Sequence, residues 1–360
     1  MSIRRGSPEQ SGRGHRTTLA DVAARVGMSK SAVSLALNNR PGSRLSQDAV
    51  ERIHAAARDL NYRPNPAARS LRLGKTGTVG FISDEVTVTR FASAMIRGIL
   101  DVADEEERGV LIAETGGHPK QLERALDSMV DRQVDALIFG SLAARLIDVP
   151  ALPGHIPTVT VNCSSDDVSR SVFPAEEAAG YAVTRQLLDA GHGDSLAVIG
   201  NALDTQWDPR ASVMIPRRFD GIQRALDEAG VVPVAVADLK DWEPSEGYRS
   251  TRALLESRQA FTGLICLNDR IAFGAQQALT EYGLRVPDDV SLVSFDDDDE
   301  LAAYMRPPLT TARLPYYEMG RLAMGIALAT DTGNGEHLVP MPLQVRDSVR
   351  ALRRVTSLSG

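Results

Sequence analysis

Cysteine is almost missing from this 360-residue chain: Cys163 and Cys266 stand far apart, neither lies near a histidine at ligand spacing, and Cys266 falls in an apolar run. The pattern favours two buried free thiols over a disulfide or a cysteine metal site. The six histidines, His15, His54, His118, His155, His192 and His337, include no pair at metal-binding spacing. Each reads as an isolated surface or capping residue, and no metal is expected. No run of about eighteen apolar residues occurs, and the opening MSIRRGSPEQSGRGHR lacks the apolar stretch of a secretory signal. The expectation is a cytoplasmic protein with no membrane contact. Enzyme signatures are missing too: there is no GxSxG, no GxGxxG and no Ser, His and Asp motif context. Gly74 to Thr76 resembles the end of a phosphate loop, but Arg69 occupies the upstream glycine position and no strand precedes it. No enzyme activity and no cofactor are expected.

The chain does hold a sharp charge asymmetry. Residues 1–75 carry 14 Lys and Arg against 5 Asp and Glu, a net +9, while residues 76–360 carry 26 against 42, a net −16. A basic head on an acidic body confines polyanion affinity to the head. Within that head, TLADVAARVGMSKSAVSLALN (18–38) reads as two short helices joined by a tight turn. Leu19, Val22, Ala23 and Val26 fall at i, i+3, i+4 and i+7, giving helix one a single apolar stripe with Thr18 as N-cap. Gly27 accepts the positive φ of a sharp turn, and small Ala23 lets the second helix cross closely. Ser29 caps helix two, Val33 and Leu37 point inward, and Lys30, Ser31, Ser34 and Leu35 face out. An ordinary αα-hairpin would share this pattern; the basic charge favours a DNA-reading helix-turn-helix.

Further along, residues 1–16 read as a disordered basic tail. Pro41 and Gly42 end the recognition helix, and Ser46 caps a third helix running to Leu60 with Val50, Ile53, Ala57 and Leu60 on its apolar face. The domain is set at 17–63. In NYRPNPAARSLRLGKTG, Pro64 and Pro66 stiffen the exit and Ala67 to Leu71 suit one or two helical turns, so 64–76 reads as hinge helix and linker. From Thr78, short apolar runs alternate with amphipathic helices. Strands are expected at 79–82, 110–113, 136–139, 158–161, 196–199, 263–267 and 291–294, and helices at 92–107, 122–132, 175–190, 219–229 and 269–282. Such alternation implies parallel sheets, and the number of strands implies two α/β lobes with a ligand cleft at the strands' carboxyl ends. The body is placed at 77–345, with lobe one about 77–172 plus 314–340 and lobe two about 173–313 plus 341–350. The acidic run Asp296 to Glu300 reads as mostly solvated, since consecutive carboxylates on a loop cannot all face one ion.

TLADVAARVGMSKSAVSLALN, LNYRPNPAARSL, LICLNDRIAFGA, VSLVSFDD and RPPLTTARLP occur in that order. With these five stretches the chain resembles the lactose-repressor/galactose-repressor (LacI/GalR) transcription factors from Thr18 to about Val345. The resemblance implies a homodimer whose heads bind a palindromic double-stranded operator, and a periplasmic-binding-protein-like body that closes on a small effector. The family's base-reading positions match Lys30, Ser31 and Leu35. Lys30 and Ser31 can hydrogen-bond base edges, whereas Leu35 can only contact a thymine methyl or exclude water. Thr18, Ser29, Ser34 and Asn38 match phosphate-contacting positions, although capping alone equally accounts for Thr18 and Ser29. Leu71 matches the leucine that the family wedges into the minor groove, with Ala68 beside it; the alternative is a core leucine at the junction.

For the effector site, the resemblance points to Arg218 in PRRFDGI, to Asn268 and Asp269 in the NDxxAxG element, to Asp296 closing its strand, and to Asn162 at a strand end where many relatives have aspartate. Such a set suits a neutral polyol. Phe91, Trp242 and Tyr316 match positions of ring-stacking aromatics, with core packing as the alternative for each. Thr89-Arg90-Phe91-Ala92 replaces the usual Asn-Pro-Phe-Phe, so the pocket floor is altered and the ligand class is left open: Arg90 suits an acidic or phosphorylated ligand, with a solvated lip as the favoured alternative. Taken together, the sequence points to a dimeric, sugar-responsive repressor of uptake or catabolic genes, acting through an inducer or a corepressor. The tail after Val345 has no sustained heptad, which favours a dimer over a coiled-coil tetramer. The alternatives are a solute-binding α/β protein with an incidental helical head, and an architectural DNA-binding protein with a filled cleft.

Overall fold

A computed structural model describes residues 17–37, 45–63, 74–89, 92–200, 208–298, 301–329 and 334–352. The chain divides into two compact units, Met1–Thr76 and Gly77–Gly360. Among the described residues the first holds three helices, α1 (Leu19–Val26), α2 (Lys30–Leu37) and α3 (Gln47–Asp59). Thr18 opens α1 with a capping box: its hydroxyl accepts from the Asp21 N–H, while its own N–H donates to the Asp21 carboxylate at 2.7 Å. Gly27 ends the helix at φ 70°, the left-handed conformation a side chain would resist. Ser29 Oγ accepts from the Ala32 N–H at 3.2 Å and Ser46 Oγ from the Ala49 N–H at 3.3 Å. Val22, Ala23, Val33, Ala36, Ile53, Ala56 and Ala57 form the buried core, with Leu19, Val26, Leu37, Val50 and Leu60 half-buried around it. The proposed disordered tail, the Pro41–Gly42 stop and the hinge helix lie outside the described residues.

The second unit contains two six-stranded sheets. Lobe one is built from β1 (Thr78–Asp84), α4 (Ser93–Glu105), β2 (Gly109–Glu114), α5 (Pro119–Asp131), β3 (Ala136–Leu146), β4 (Thr158–Ser164) and β5 (Arg170–Pro174). Lobe two follows with α6 (Glu176–Asp189), β6 (Leu196–Gly200), α7 (Ile215–Ala229), β7 (Ala235–Asp238), α8 (Pro244–Glu256), β8 (Gly263–Cys266), α9 (Asp269–Glu281), β9 (Ser291–Asp296) and β10 (Thr310–Arg313). The chain returns to lobe one with α10 (Tyr316–Leu328) and β11 (Gly335–Val339), then ends in lobe two with β12 (Leu343–Gln344). The orders are β11-β5-β4-β3-β1-β2 and β12-β10-β9-β8-β6-β7. All neighbours are parallel except β10 and β12, an antiparallel edge pair that the expectation of purely parallel sheets omits.

Buried apolar side chains fill both faces of the first sheet, Phe81 and Ile138 on one and Leu137 and Phe139 on the other. A single large cluster spans the second lobe. Three helix pairs approach through reciprocal glycines. A Cβ at Gly180 would lie 2.1 Å from the Arg218 carbonyl and one at Gly221 2.0 Å from that of Glu177, locking α6 to α7. Gly98 and Gly320 do the same for α4 and α10, and Gly247 and Gly274 for α8 and α9. Cys163 and Cys266 are buried free thiols. His192 corrects the surface reading: it is 2% exposed, with Nδ1 2.9 Å from Thr262 Oγ1 and Nε2 2.9 Å from the Arg350 carbonyl. Among the described residues no helix is long and apolar enough to cross a membrane.

Candidate functional site

In the head, the short helix α2 presents Lys30, Ser31 and Leu35 to solvent, Leu35 being 38% exposed. Burial of Val33 and Ala36 on the opposite side fixes this orientation. Thr18 and Ser29 are exposed and spend their side-chain oxygens on the helix caps described above, while Ser34 is half-buried. Asn38, Ala68 and Leu71 lie outside the described residues.

In the body, a cavity of about 560 Å³ opens between the lobes, within the ~300–1,000 Å³ range of small-molecule sites. Its walls come from the carboxyl ends of strands in both sheets, where parallel α/β folds place ligands. Asn162 in β4, Arg218 in α7, Trp242 after β7, Asp296 at the end of β9 and Tyr316 at the start of α10 all line it. Phe91 and Arg90 lie outside the described residues.

Asn162 is 3% exposed and held at φ 54°. Its amide donates to the carbonyls of Ser141 at 3.0 Å and Leu142 at 2.7 Å, where β3 shifts register against β4. The side-chain oxygen of Asn162 is left as an acceptor. Tyr316 donates its hydroxyl to the same Leu142 carbonyl at 3.2 Å.

Arg218 is 2% exposed, and Glu176 holds it in a bidentate pair: Nε donates to Oε2 at 2.7 Å and Nη2 to Oε1 at 2.8 Å. Nη1 donates to the Leu267 carbonyl. The guanidinium lies 4.4 Å over the Phe295 ring and 5.9 Å from that of Trp242. Burial is the strongest single influence and pulls the Arg218 pKa down, yet the charge and hydrogen bonds of Glu176, with the charge of Asp296, leave it raised. Asp296 stands 3.6 Å from Arg218, and its carboxyl is pushed up to about 6, by burial above all and against the pull of Arg218.

Asn268 and Asp269, which the resemblance also points to, are not among the residues that line the cavity. Asn268 Oδ1 caps α9, accepting from the Ile271 N–H at 2.7 Å, and its amide donates to the Trp242 carbonyl at 3.2 Å. Asn268 therefore positions Trp242 from behind. Asp269 is buried and accepts from Ser294, from Thr311 at 2.9 Å and from the Asp298 N–H at 2.7 Å. Burial, then the charge of Asp296, raises its carboxyl to about 8. It ties β9, β10 and the following loop together. Asp297 also departs from the solvated reading, being 5% exposed and paired with Arg346 at 2.6 Å. Asp299 and Glu300 lie outside the described residues.

Glu176 lines the cavity without a motif that marks it, as do Leu142–Ala144, Ala211, Ser212 and the rim residues Lys240 and Asp241. Glu176 carries one legible signal: it opens a helix immediately after a strand, at the carboxyl end of a parallel sheet. Among the described residues no group of three His, Cys, Asp or Glu side chains is arranged to hold a metal ion.

A helical head with an exposed recognition helix, together with a two-lobed body enclosing a cavity that holds a few polar side chains, defines a ligand-responsive DNA-binding regulator. Residues 18–65 match the bacterial regulatory proteins of the lacI family, and residues 184–349 match the periplasmic binding protein-like domain. The chain is 30% identical to the ribose operon repressor of Haemophilus influenzae over 346 residues, 93% of this chain and 99% of that one. It is 28% identical to the HTH-type transcriptional repressor PurR of the same species over 350 residues, with the same shares covered. The crystal structure of the lac repressor dimer bound to operator and the anti-inducer ONPF is similar with a TM-score of 0.73 and 26% identity, covering 93% of this chain and 99% of that one. The chain belongs to the lacI family. It is a DNA-binding repressor and not an enzyme.

Proposed function

We propose that the chain works in the cytoplasm as a homodimer on a palindromic operator, repressing genes for uptake or catabolism of a sugar or sugar-like polyol. The cavity is the effector site, and residues 64–76 are the hinge that passes its state to the heads. The observation that carries this reading is the lining of the cavity, where Asn162 and Asp296 border a space of about 560 Å³ beside Trp242 and Tyr316. Acceptors beside an aromatic ring suit a molecule with hydroxyls on one side and C–H groups on the other. The similarity to a ribose operon repressor supports a sugar as the first class to test. Lys30, Ser31 and Leu35 read base edges; Thr18, Ser29, Ser34 and Asn38 contact phosphates; Leu71, with Ala68, enters the minor groove.

The test is operator affinity of the full-length protein, by fluorescence polarisation, against a panel of pentoses, hexoses and disaccharides beginning with ribose. One sugar is expected to shift affinity by roughly 5–150-fold, the usual span of allosteric coupling, and Asn162→Ala is expected to abolish that shift while leaving the sugar-free affinity nearly unchanged. A full response in the variant would remove Asn162, and with it this cavity, from the effector site.

A further inference from the structure

We propose that Glu176 sets the ligand class of the cavity: by clamping Arg218 it withdraws the buried guanidinium from anionic ligands, so the site takes neutral hydroxylated molecules and rejects phosphorylated or carboxylated ones. This rests on the cavity being the effector site. An arginine on the wall of a small-molecule cavity ordinarily advertises an anion, because its planar fork matches a carboxylate or a phosphate in two parallel bonds. Here both oxygens of Glu176 already occupy that fork, at 2.7 and 2.8 Å, and the Leu267 carbonyl takes a third N–H. Asp296 stands 3.6 Å away on the cavity side, so one cation faces two carboxylates. Glu176 and Arg218 are 3% and 2% exposed, which leaves little water to screen that balance. An incoming phosphate would meet repulsion from Asp296 and would have to displace Glu176 from the guanidinium.

The placement is built into the backbone. Glu176 is the first residue of α6, Arg218 lies in the first turn of α7, and the Gly180–Gly221 contact holds those helices at a separation no side chain could share. Asn162 and Asp296 on the wall supply oxygens that can accept from ligand hydroxyls. Lys240, exposed at the rim, is a hydrated cation outside this buried cluster and does not restore an anion site.

The test uses the full-length protein with Trp207→Phe, which leaves Trp242 as the sole tryptophan, and follows its fluorescence against inorganic phosphate. Glu176→Gln keeps the volume and one acceptor but removes the charge. It is expected to bind phosphate at least about tenfold more tightly than the parent, in keeping with hydrogen bonds to a newly available charged donor. Phosphate binding by the parent as tight as in the variant would overturn the proposal, and so would a folded Glu176→Gln protein with no gain. Should Glu176→Gln fail to fold, Glu176→Asp, whose shorter side chain cannot span the same fork, carries the same prediction in smaller measure. A phosphate gain in a protein whose operator affinity answers no sugar would support the role of Glu176 while contradicting the effector reading. A sugar response without the phosphate gain would do the reverse.

Discussion

Asp296 shows how much a single residue carries in this site. It sits at φ 103°, a left-handed conformation that costs a non-glycine residue about 1–3 kcal/mol and persists only where the surroundings enforce it. Its backbone carbonyl accepts from the Leu314 N–H at 3.0 Å, where the chain leaves lobe two, and its side chain is half-buried against Arg218. Burial raises its carboxyl from 3.8 to about 6. The carboxylate is therefore the acceptor form at pH 7 and becomes protonated as pH falls through 6, so an effector that donates a hydroxyl to it loses affinity on that side. Titrations between pH 5 and 8 should show effector affinity flat above pH 7 and falling below 6, and Asp296→Asn should remove the dependence. An unchanged pH profile in the variant would assign the titration to another group. Asp296, Arg218 and Asn162, to which the resemblance points, line the cavity from strand ends and from a recognisable motif. Asn268 and Asp269 of the NDxxAxG element lie outside the cavity lining, since a short polar side chain at a helix start caps the helix as readily as it faces a ligand.

At the scale of elements, the close approach of α6 and α7 is what brings Glu176 to Arg218. Gly180→Ala would drive a methyl into the Arg218 carbonyl, and backbone cannot step aside as a flexible side chain can. The helices must separate, at a cost of roughly 1–3 kcal/mol or more, and the Glu176–Arg218 fork must open with them. Gly230 supplies the control: a Cβ there meets nothing within 4 Å, so Gly230→Ala is charged only with its φ of 65°, about 1 kcal/mol. Denaturant melts of the two variants should rank Gly180→Ala clearly below Gly230→Ala, and the reverse order would refute the packing argument. These glycines also explain which elements were hard to read. In α8 the buried positions are Gly247, Thr251 and Leu255, so close packing against α9 leaves almost no apolar stripe. Helix α10 has the opposite difficulty: seven of its thirteen residues are buried and its apolar residues run nearly all round, which blurs the period of 3.6. The strands β5, β7, β10 and β12 span two to five residues each, too few for alternation to emerge. Long helices with one clear stripe, and strands buried on both faces, stood out from the sequence.

At the scale of the whole molecule, the uneven charge is the most economical clue to function. The basic head supplies the salt-dependent attraction to DNA, and the acidic body keeps that attraction from becoming indiscriminate. Family membership and the fold of the body were legible from five short stretches of sequence, because each serves a position where backbone geometry or base contact restricts the choice. The clamp on Arg218 was not, because it depends on how Glu176 and Arg218 meet across 42 residues of chain. The central claim is that α2 reads a base sequence, and its most direct test is selection of bound duplexes from a random pool by the full-length protein at two salt concentrations, alongside Lys30→Ala. The account predicts a palindrome with half-sites separated by about one helical turn or a small multiple of it, recovered at both salts, and a changed base preference at one position of each half-site for Lys30→Ala, worth about 1–3 kcal/mol there. Uniform weakening by Lys30→Ala across all sequences would make that lysine a phosphate contact, and the absence of any enriched palindrome, with or without the sugar panel, would contradict the account.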